Sequence, residues 1–181
     1  MNIEEYCRGE TVIRRGEALP FVTGDIPTGS ARTAVCAAAA EEAKKFEPGS
    51  VRHKLYSLEA ALGDTPELDF PLQHVFAPGV YARTMRIPKD GVIIGKIHKH
   101  KHLNILSQGT VLVLTESQGI ERLTGPLTMV SEPGTKRAVV AETDAVWTTI
   151  HLTAETDLAK IEDEVIAKSF EEYEQFLKIG G

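Results

Sequence analysis

The spacing of apolar and polar positions divides the chain into stretches of different period. Residues 1–30 show none: the short apolar pieces Thr11-Val12-Ile13 and Leu19-Pro20-Phe21-Val22 alternate with charge and with turn signals at Gly24-Asp25 and Pro27-Thr28-Gly29. An arm lying on another surface is expected there. Ser30 then precedes an alanine-rich stretch, Ala31 to Phe46, whose propensity predicts a helix ended by Pro48-Gly49. A second helix is predicted from Ser50 to Leu62, with Leu55, Leu58 and Leu62 on one face and Gly63 behind it.

From Phe70 the period changes to two. Short strands are predicted at Val80 to Ile87, Val92 to His98, Val111 to Leu114, Ile120 to Leu123, Leu127 to Val130, Arg137 to Ala141 and Ala145 to His151, separated by Gly, Pro, Asp and Ser clusters. Strands this short and this evenly spaced predict an antiparallel sandwich or barrel, because a parallel sheet needs helical crossovers. Thr153 is then the expected cap of a helix running to about Leu177, with Leu158, Ile161, Val165, Ile166, Phe170, Tyr173 and Leu177 as its apolar stripe. That stripe must be buried, against the chain's own sheets and N-terminal helices or against another subunit. The expected organisation is an arm and two helices over 1–69, a β-barrel over 70–152 and a C-terminal helix over 153–181.

Composition bounds what this layout can do. With 181 residues, 42% hydrophobic and 25% charged, the chain has the make-up of one globular domain with appendages. A net charge of −6 and the lack of a long Lys/Arg block argue against a nucleic-acid partner. Cys7 and Cys36 have neither CxxC spacing nor a neighbouring histidine, and are read as thiols in a reducing compartment. An acidic start without an apolar core, and no apolar run long enough to span a bilayer, lead to the expectation of no secretion signal and no membrane partner.

Candidate chemistry concentrates between Gly91 and Gly109, where His98, His100 and His102 supply three of the six histidines. On one extended strand all three share a face with Lys96; if the chain turns among them, only a subset converges. Neutral imidazoles at this spacing suit Zn, Fe, Ni, Cu or Mn. A lone strand histidine is more often structural, but three within five residues point to a metal held by at least two. The interleaved lysines oppose a nearby cation and favour an anionic molecule held by it.

These residues resemble the first motif of the cupins, a glycine and His-x-His pair followed by a glutamate and a closing glycine. Counted back from Gly109, His102 takes the glutamate position, His98 the second histidine and Lys96 the first. The second motif, Pro-x-Gly-x-x-His, resembles Glu132-Pro133-Gly134-Thr135-Lys136-Arg137, with the proline shifted and Arg137 in place of histidine. The resemblance covers residues 70–152. It implies a mainly β jelly-roll barrel with a flanking N-terminal helical arm and a C-terminal α-helix. It also implies a divalent metal (Zn, Fe, Mn or Ni) at His98 and His102, with His151 or His74 as a third ligand and His100 as an off-register candidate.

More narrowly, Phe76-Ala-Pro-Gly-Val-Tyr-Ala-Arg83, Gly95-Lys-Ile-His98, Leu103-Asn-Ile-Leu106, the Pro133 to Arg137 turn and Val146-Trp-Thr-Thr-Ile-His151 resemble uncharacterised cupin-like proteins of tailed bacteriophages and prophages. That resemblance implies a viral or prophage origin, with the host cytoplasm or the virion as location. Around the barrel mouth, Tyr81, Arg83, Asn104, Glu116, Glu121 and Arg137 are further polar candidates, each of which also reads as a solvated strand residue or rim salt bridge. Arg83 and Arg137 are suited to grip a carboxylate or phosphate, and Tyr81 to serve as acid or base. No glycine-rich phosphate loop, nucleophile elbow or paired-carboxylate motif is present.

Two functions follow as expectations. One is a metal-dependent enzyme acting on a small anionic molecule, with its reaction unspecified because the fold hosts many. The other is a non-enzymatic virion structural or accessory protein. In it the barrel is an oligomerisation and binding scaffold, and the arm and C-terminal helix contact other copies of the chain or other virion proteins.

Overall fold

The computed structural model describes residues 21–22, 30–62, 67–68 and 72–180. Most of the expected N-terminal arm, Cys7 and the Gly63 helix stop lie outside the described residues.

The elements are β1 (Phe21–Val22), α1 (Ser30–Ala43), α2 (Val51–Ala61), β2 (Glu67–Leu68), β3 (Leu72–Ala77), β4 (Val80–Ile87), β5 (Val92–Ile94), β6 (Ile97–His98), β7 (His102–Gln108), β8 (Thr110–Thr115), β9 (Gly119–Thr124), β10 (Leu127–Ser131), β11 (Arg137–Ala141), β12 (Ala145–Leu152), α3 (Leu158–Val165), β13 (Ile166–Ala167) and α4 (Phe170–Lys178). The strands form a six-stranded sheet ordered β2-β1-β5-β11-β8-β9 and a five-stranded sheet ordered β10-β7-β12-β4-β3, and β13 pairs β6.

From β4 to β12, successive strands of the two large sheets cross between them except at the β8-β9 hairpin. Taking β4, β5 and β7 to β12 as eight strands, one sheet holds them as β4-β12-β7-β10 and the other as β5-β11-β8-β9, with antiparallel pairing throughout. This interleaving is the strand order of a jelly roll. The two sheets remain separate ladders rather than one closed barrel. β1 adds to β5 in parallel at the edge of the six-stranded sheet.

The core divides in two for a reason visible in the strands. β5, β8 and β11 are buried almost along their whole length, so both faces of the six-stranded sheet are covered. Ile93, Val111, Val113 and Val139 point inward to Met85, Leu106 and Trp147 of the five-stranded sheet. Val92, Ile94, Leu112, Leu114, Ala138 and Val140 point outward onto Leu55, Leu58 and Leu62 of α2. Ser50 starts α2 by accepting a hydrogen bond from the His53 amide at 3.2 Å.

Two expected elements are each divided. The strand predicted over Val92 to His98 breaks at Gly95, whose amide still donates to the Arg137 carbonyl of β11 at 2.8 Å, the last bond in register with the β5-β11 ladder. A Cβ there would lie 3.2 Å from the Arg137 Cγ, so the crossing is tight. The single helix expected from Thr153 is α3 and α4, separated by β13. The caps are Asp157, which accepts from the Ala159 amide at 2.9 Å, and Ser169, which accepts from the Glu172 amide at 3.1 Å. Thr153 instead donates to Glu164 at 2.8 Å. The apolar stripe is buried within the chain over much of its length: Ile161 and Val165 pack on Tyr81, and Phe170 packs with Ala39, Ala43, Tyr56 and Ile97.

Candidate metal centre

The inner face of the five-stranded sheet is layered by register. Phe76 pairs Tyr81, and Tyr81 pairs His151. Next to His151 lies His102, which pairs Ser131. The layer beneath is also polar, running His74, Arg83, Thr149, Asn104 and Met129 across the five strands. Below it the layer Leu72, Met85, Trp147, Leu106 and Leu127 is apolar. Polarity therefore rises toward one end of the jelly roll, and the histidines sit in its outermost layer.

His98 reaches the same place from β6. The chain turns through Lys99 and His100, so His98 and His102 share a direction while His100 does not. The ring centroids of His98 and His102 lie 4.2 Å apart, those of His98 and His151 4.9 Å, and those of His102 and His151 4.8 Å. All three residues are buried, and their donor nitrogens lie within 4.8 Å of one another.

Their electronic state suits metal ligation. The Nδ1 of His98 is buried and has no hydrogen-bond partner. His102 donates from Nδ1 to the His100 carbonyl at 3.1 Å, which leaves its Nε2 lone pair free. Burial holds His98 well below the ordinary imidazole range, reinforced by His102, His151, Arg83 and Arg137. Burial likewise lowers His102 to about 4, against the opposing effect of its bond to His100, with Arg137 and Arg83 adding to the lowering. Neutral imidazoles are the form that binds a divalent ion.

The other candidates are placed around this cluster. His100 is exposed and meets Phe176 edge-on at 5.3 Å. His74 bonds through Nδ1 to the Tyr81 hydroxyl at 2.7 Å, and Tyr81 stacks toward His151 at 6.3 Å. Arg137, from the opposite sheet, bonds the Ser131 hydroxyl, and burial lowers its guanidinium to about 10. Lys96, at the position of a motif histidine, turns to Glu162 at 2.6 Å. Glu116 pairs with Arg52 at 2.8 Å, away from the cluster.

A cavity of about 750 Å³ adjoins the cluster, its wall including His74, Tyr81, Arg83, His98 and His151. That size accepts a small organic molecule. A void of about 40 Å³ between the sheets touches Arg83, His98, Arg137, Trp147 and Thr149. The cavity wall also includes Tyr56, Glu59 and Lys136, and the inner layer includes Thr149, none of which the sequence reading had singled out. For Thr149 the signal was there: it stands two residues before His151 and shares its face.

No protein-family model and no curated protein matches the chain. Solved structures of similar shape include a cupin-2 domain containing protein from Shewanella frigidimarina, with 10% identity, a TM-score of 0.40 and coverage of 48% of this chain and 83% of that one. An RmlC-like cupin family protein from Methanocaldococcus jannaschii shows 10% identity and a TM-score of 0.40, covering 46% of this chain and 80% of that one. A cupin domain from Bordetella pertussis shows 19% identity and a TM-score of 0.38, covering 46% and 93%. At such scores the likeness carries no argument, and the jelly-roll assignment rests on the strand order. Among the described residues, no helix is long and apolar enough to cross a membrane.

Proposed function

We propose that the protein is a cupin-type metal protein that holds one divalent ion through His98, His102 and His151 and binds a small anionic molecule beside it. The observation that carries this reading is the convergence of three buried imidazoles, one with an orphaned Nδ1. Leaving the buried Nδ1 of His98 unpartnered is costly, and coordination of that ring supplies a partner. Three nitrogen ligands leave coordination positions open, as a catalytic ion requires. A bound ion supplies Lewis acidity toward an oxygen of the bound molecule.

The remaining roles belong to the chain. Arg83 and Arg137 border the void beside His98 and present guanidinium groups to a carboxylate or phosphate. Tyr81, fixed by His74, offers a phenol at the cavity wall for proton transfer or orientation. His74 and His100 lie outside the cluster as secondary residues. Zn, Fe, Mn and Ni are the expected ions, and an all-imidazole donor set does not choose among them. The segments that resemble cupin-like proteins of tailed phages and prophages support reading it as a phage or prophage protein acting in the host cytoplasm or the virion.

Metal analysis of protein purified without an affinity tag tests the reading. We expect one equivalent of metal, lost in His98→Ala, His102→Ala and His151→Ala. Metal-free wild-type protein whose stability the substitutions leave unchanged would sink it. The second reading, a non-enzymatic virion component, is favoured by Arg137 and Lys96 standing at motif ligand positions, since cations there weaken a four-ligand site.

A further inference from the structure

His98 is held differently from the other two members of its cluster. His102 lies on β7, between β10 and β12, and His151 on β12, between β7 and β4, so both are built into the five-stranded sheet. His98 lies on β6, two residues long, which belongs to neither large sheet and pairs with β13. In that ladder Ile166 stands opposite His98 and Ala167 opposite Ile97. The next amide, that of Lys99, donates to the Val165 carbonyl at 2.8 Å. The turn between β10 and β11 adds the Gly134 amide, which donates to the His98 carbonyl at 2.8 Å. Even that turn is backed by α4, because a Cβ on Gly134 would run into the Tyr173 ring. Residues 158–178 thus support one of the three imidazoles from outside the two sheets.

Lys99 fastens this segment to β6. Its side chain is only 13% exposed, and its ammonium donates to the Asp163 carbonyl at 2.8 Å. That carbonyl lies in the last turn of α3, where unsatisfied carbonyls and the helix dipole favour a cation. The same ammonium lies 3.5 Å from Glu172, in the first turn of α4, and 5.9 Å from the centre of the Phe176 ring. One side chain therefore joins the end of α3, the start of α4 and the strand that bears His98. Lys96 adds a more exposed tie, to Glu162 of α3 at 2.6 Å. Lys101 behaves otherwise: it is exposed and pairs with Glu132 at 2.9 Å, away from the C-terminal segment.

We infer that Lys99 is a positioning residue: by fastening residues 158–178 to β6, it holds His98 against His102 and His151. The geometry stands by itself, whereas its consequence for metal affinity rests on the reading proposed above. Removing the support behind a metal ligand weakens binding by about 10–100-fold. Charge alone predicts the opposite sign, since deleting a nearby positive charge favours a bound cation.

The test uses the full chain and Co²⁺, whose visible spectrum reports its ligands, titrated against a competing chelator. We expect Lys99→Met to weaken Co²⁺ binding by about 10–100-fold and to alter the spectrum of the bound ion. Lys99→Arg, which keeps a cation able to reach the same carbonyl and carboxylate, should recover most of the affinity. Lys101→Met should change neither affinity nor spectrum. Wild-type affinity and spectrum in Lys99→Met overturn the inference, as does an equal loss in Lys101→Met. Amide exchange by NMR on metal-free protein separates this outcome from failure of the metal reading. There Lys99→Met should speed exchange at residues 99 and 134 by about tenfold or more and leave β7 and β12 unchanged. A wild type that binds no Co²⁺ but responds in this way sinks the metal reading and upholds the positioning. Unaltered exchange at both residues, or equally faster exchange in β7 and β12, overturns the positioning.

Discussion

The His102 ring donates from Nδ1 to the carbonyl of His100, 3.1 Å away. His102 at the motif position and His100 off register thus play different parts: one offers its imidazole to the cluster, and the other a backbone oxygen that fixes the tautomer of the first. The bond leaves Nε2 as the lone-pair nitrogen of His102. In metal-free protein, nitrogen NMR should show a protonated Nδ1 and an unprotonated Nε2 on this residue at neutral pH. The opposite tautomer would contradict the assignment.

The same burial makes stability pH-dependent. His102 is lowered to about 4 in the folded protein, so between its ordinary value of 6.5 and about 4 the unfolded chain binds a proton that the folded one does not. Stability of the metal-free protein is therefore full above the ordinary value and falls as pH drops through this window. At about 1.4 kcal/mol per pH unit the loss from His102 is of order 3 kcal/mol, and His98 acts in the same direction. Denaturant unfolding at a series of pH values measures it. His102→Gln should flatten the slope, and an unaltered slope would refute the attribution.

Below the histidines, Asn104 Oδ1 accepts from Trp147 Nε1 at 2.9 Å and from Thr149 Oγ1 at 3.0 Å. All three are buried. Asn104→Leu strands both donors in a polar layer without an acceptor, at about 1–3 kcal/mol for each. A loss of about 2–4 kcal/mol in unfolding free energy, with a shifted fluorescence of the single tryptophan, is expected. A loss under about 0.5 kcal/mol would mean that the network contributes nothing.

How much of this was legible follows from which way each strand's polarity points. β4 and β11 show apolar residues facing the core and were read residue for residue as Val80 to Ile87 and Arg137 to Ala141. β3 and β7 were not predicted as strands. In β7 the inward residues are His102 and Asn104, while Leu103 and Ile105 face out. In β3 His74 faces in and Val75 out. A functional interior and a sticky exterior invert the hydrophobic alternation, so the strands that build the site are the ones periodicity obscures. The pair His98 and His102 was legible from spacing and resemblance, which left the third member open between His151, which joins the cluster, and His74, which does not. His100 was already off register in the motif count, and the turn at Lys99 that excludes it was left open by the sequence, while the break at Ile166-Ala167 depended on pairing with a strand far away in sequence.

Lys136 lies 3.0 Å from Glu59, joining the loop before β11 to α2 with both side chains buried. Its ammonium also donates to the Gly95 carbonyl at 3.3 Å and lies 4.8 Å from the centre of the Tyr56 ring. Lys136→Met alone leaves a buried carboxylate without its cation and should cost about 3–5 kcal/mol. Adding Glu59→Leu removes the stranded charge and should restore stability to within about 1 kcal/mol of wild type. A double variant no more stable than Lys136→Met would show that the loss comes from packing rather than charge.

Gly109 is the one residue between β7 and β8, and its φ of +92° lies where only glycine is comfortable. A Cβ there would run into the Asp144 carbonyl and come within 2.7 Å of the Ala145 Cα, both backbone atoms that cannot step aside. Gly119, at φ +71° in the next hairpin, has open space around its would-be Cβ. The two turns therefore separate backbone strain from steric conflict. Gly119→Ala should cost about 1–2 kcal/mol for the left-handed conformation alone. Gly109→Ala carries that cost plus displacement of the start of β12, the strand that bears Trp147, Thr149 and His151, and should cost at least twice as much. Thermal melts of the two variants decide it, and equal shifts would show that the β12 backbone moves freely enough to relieve the clash.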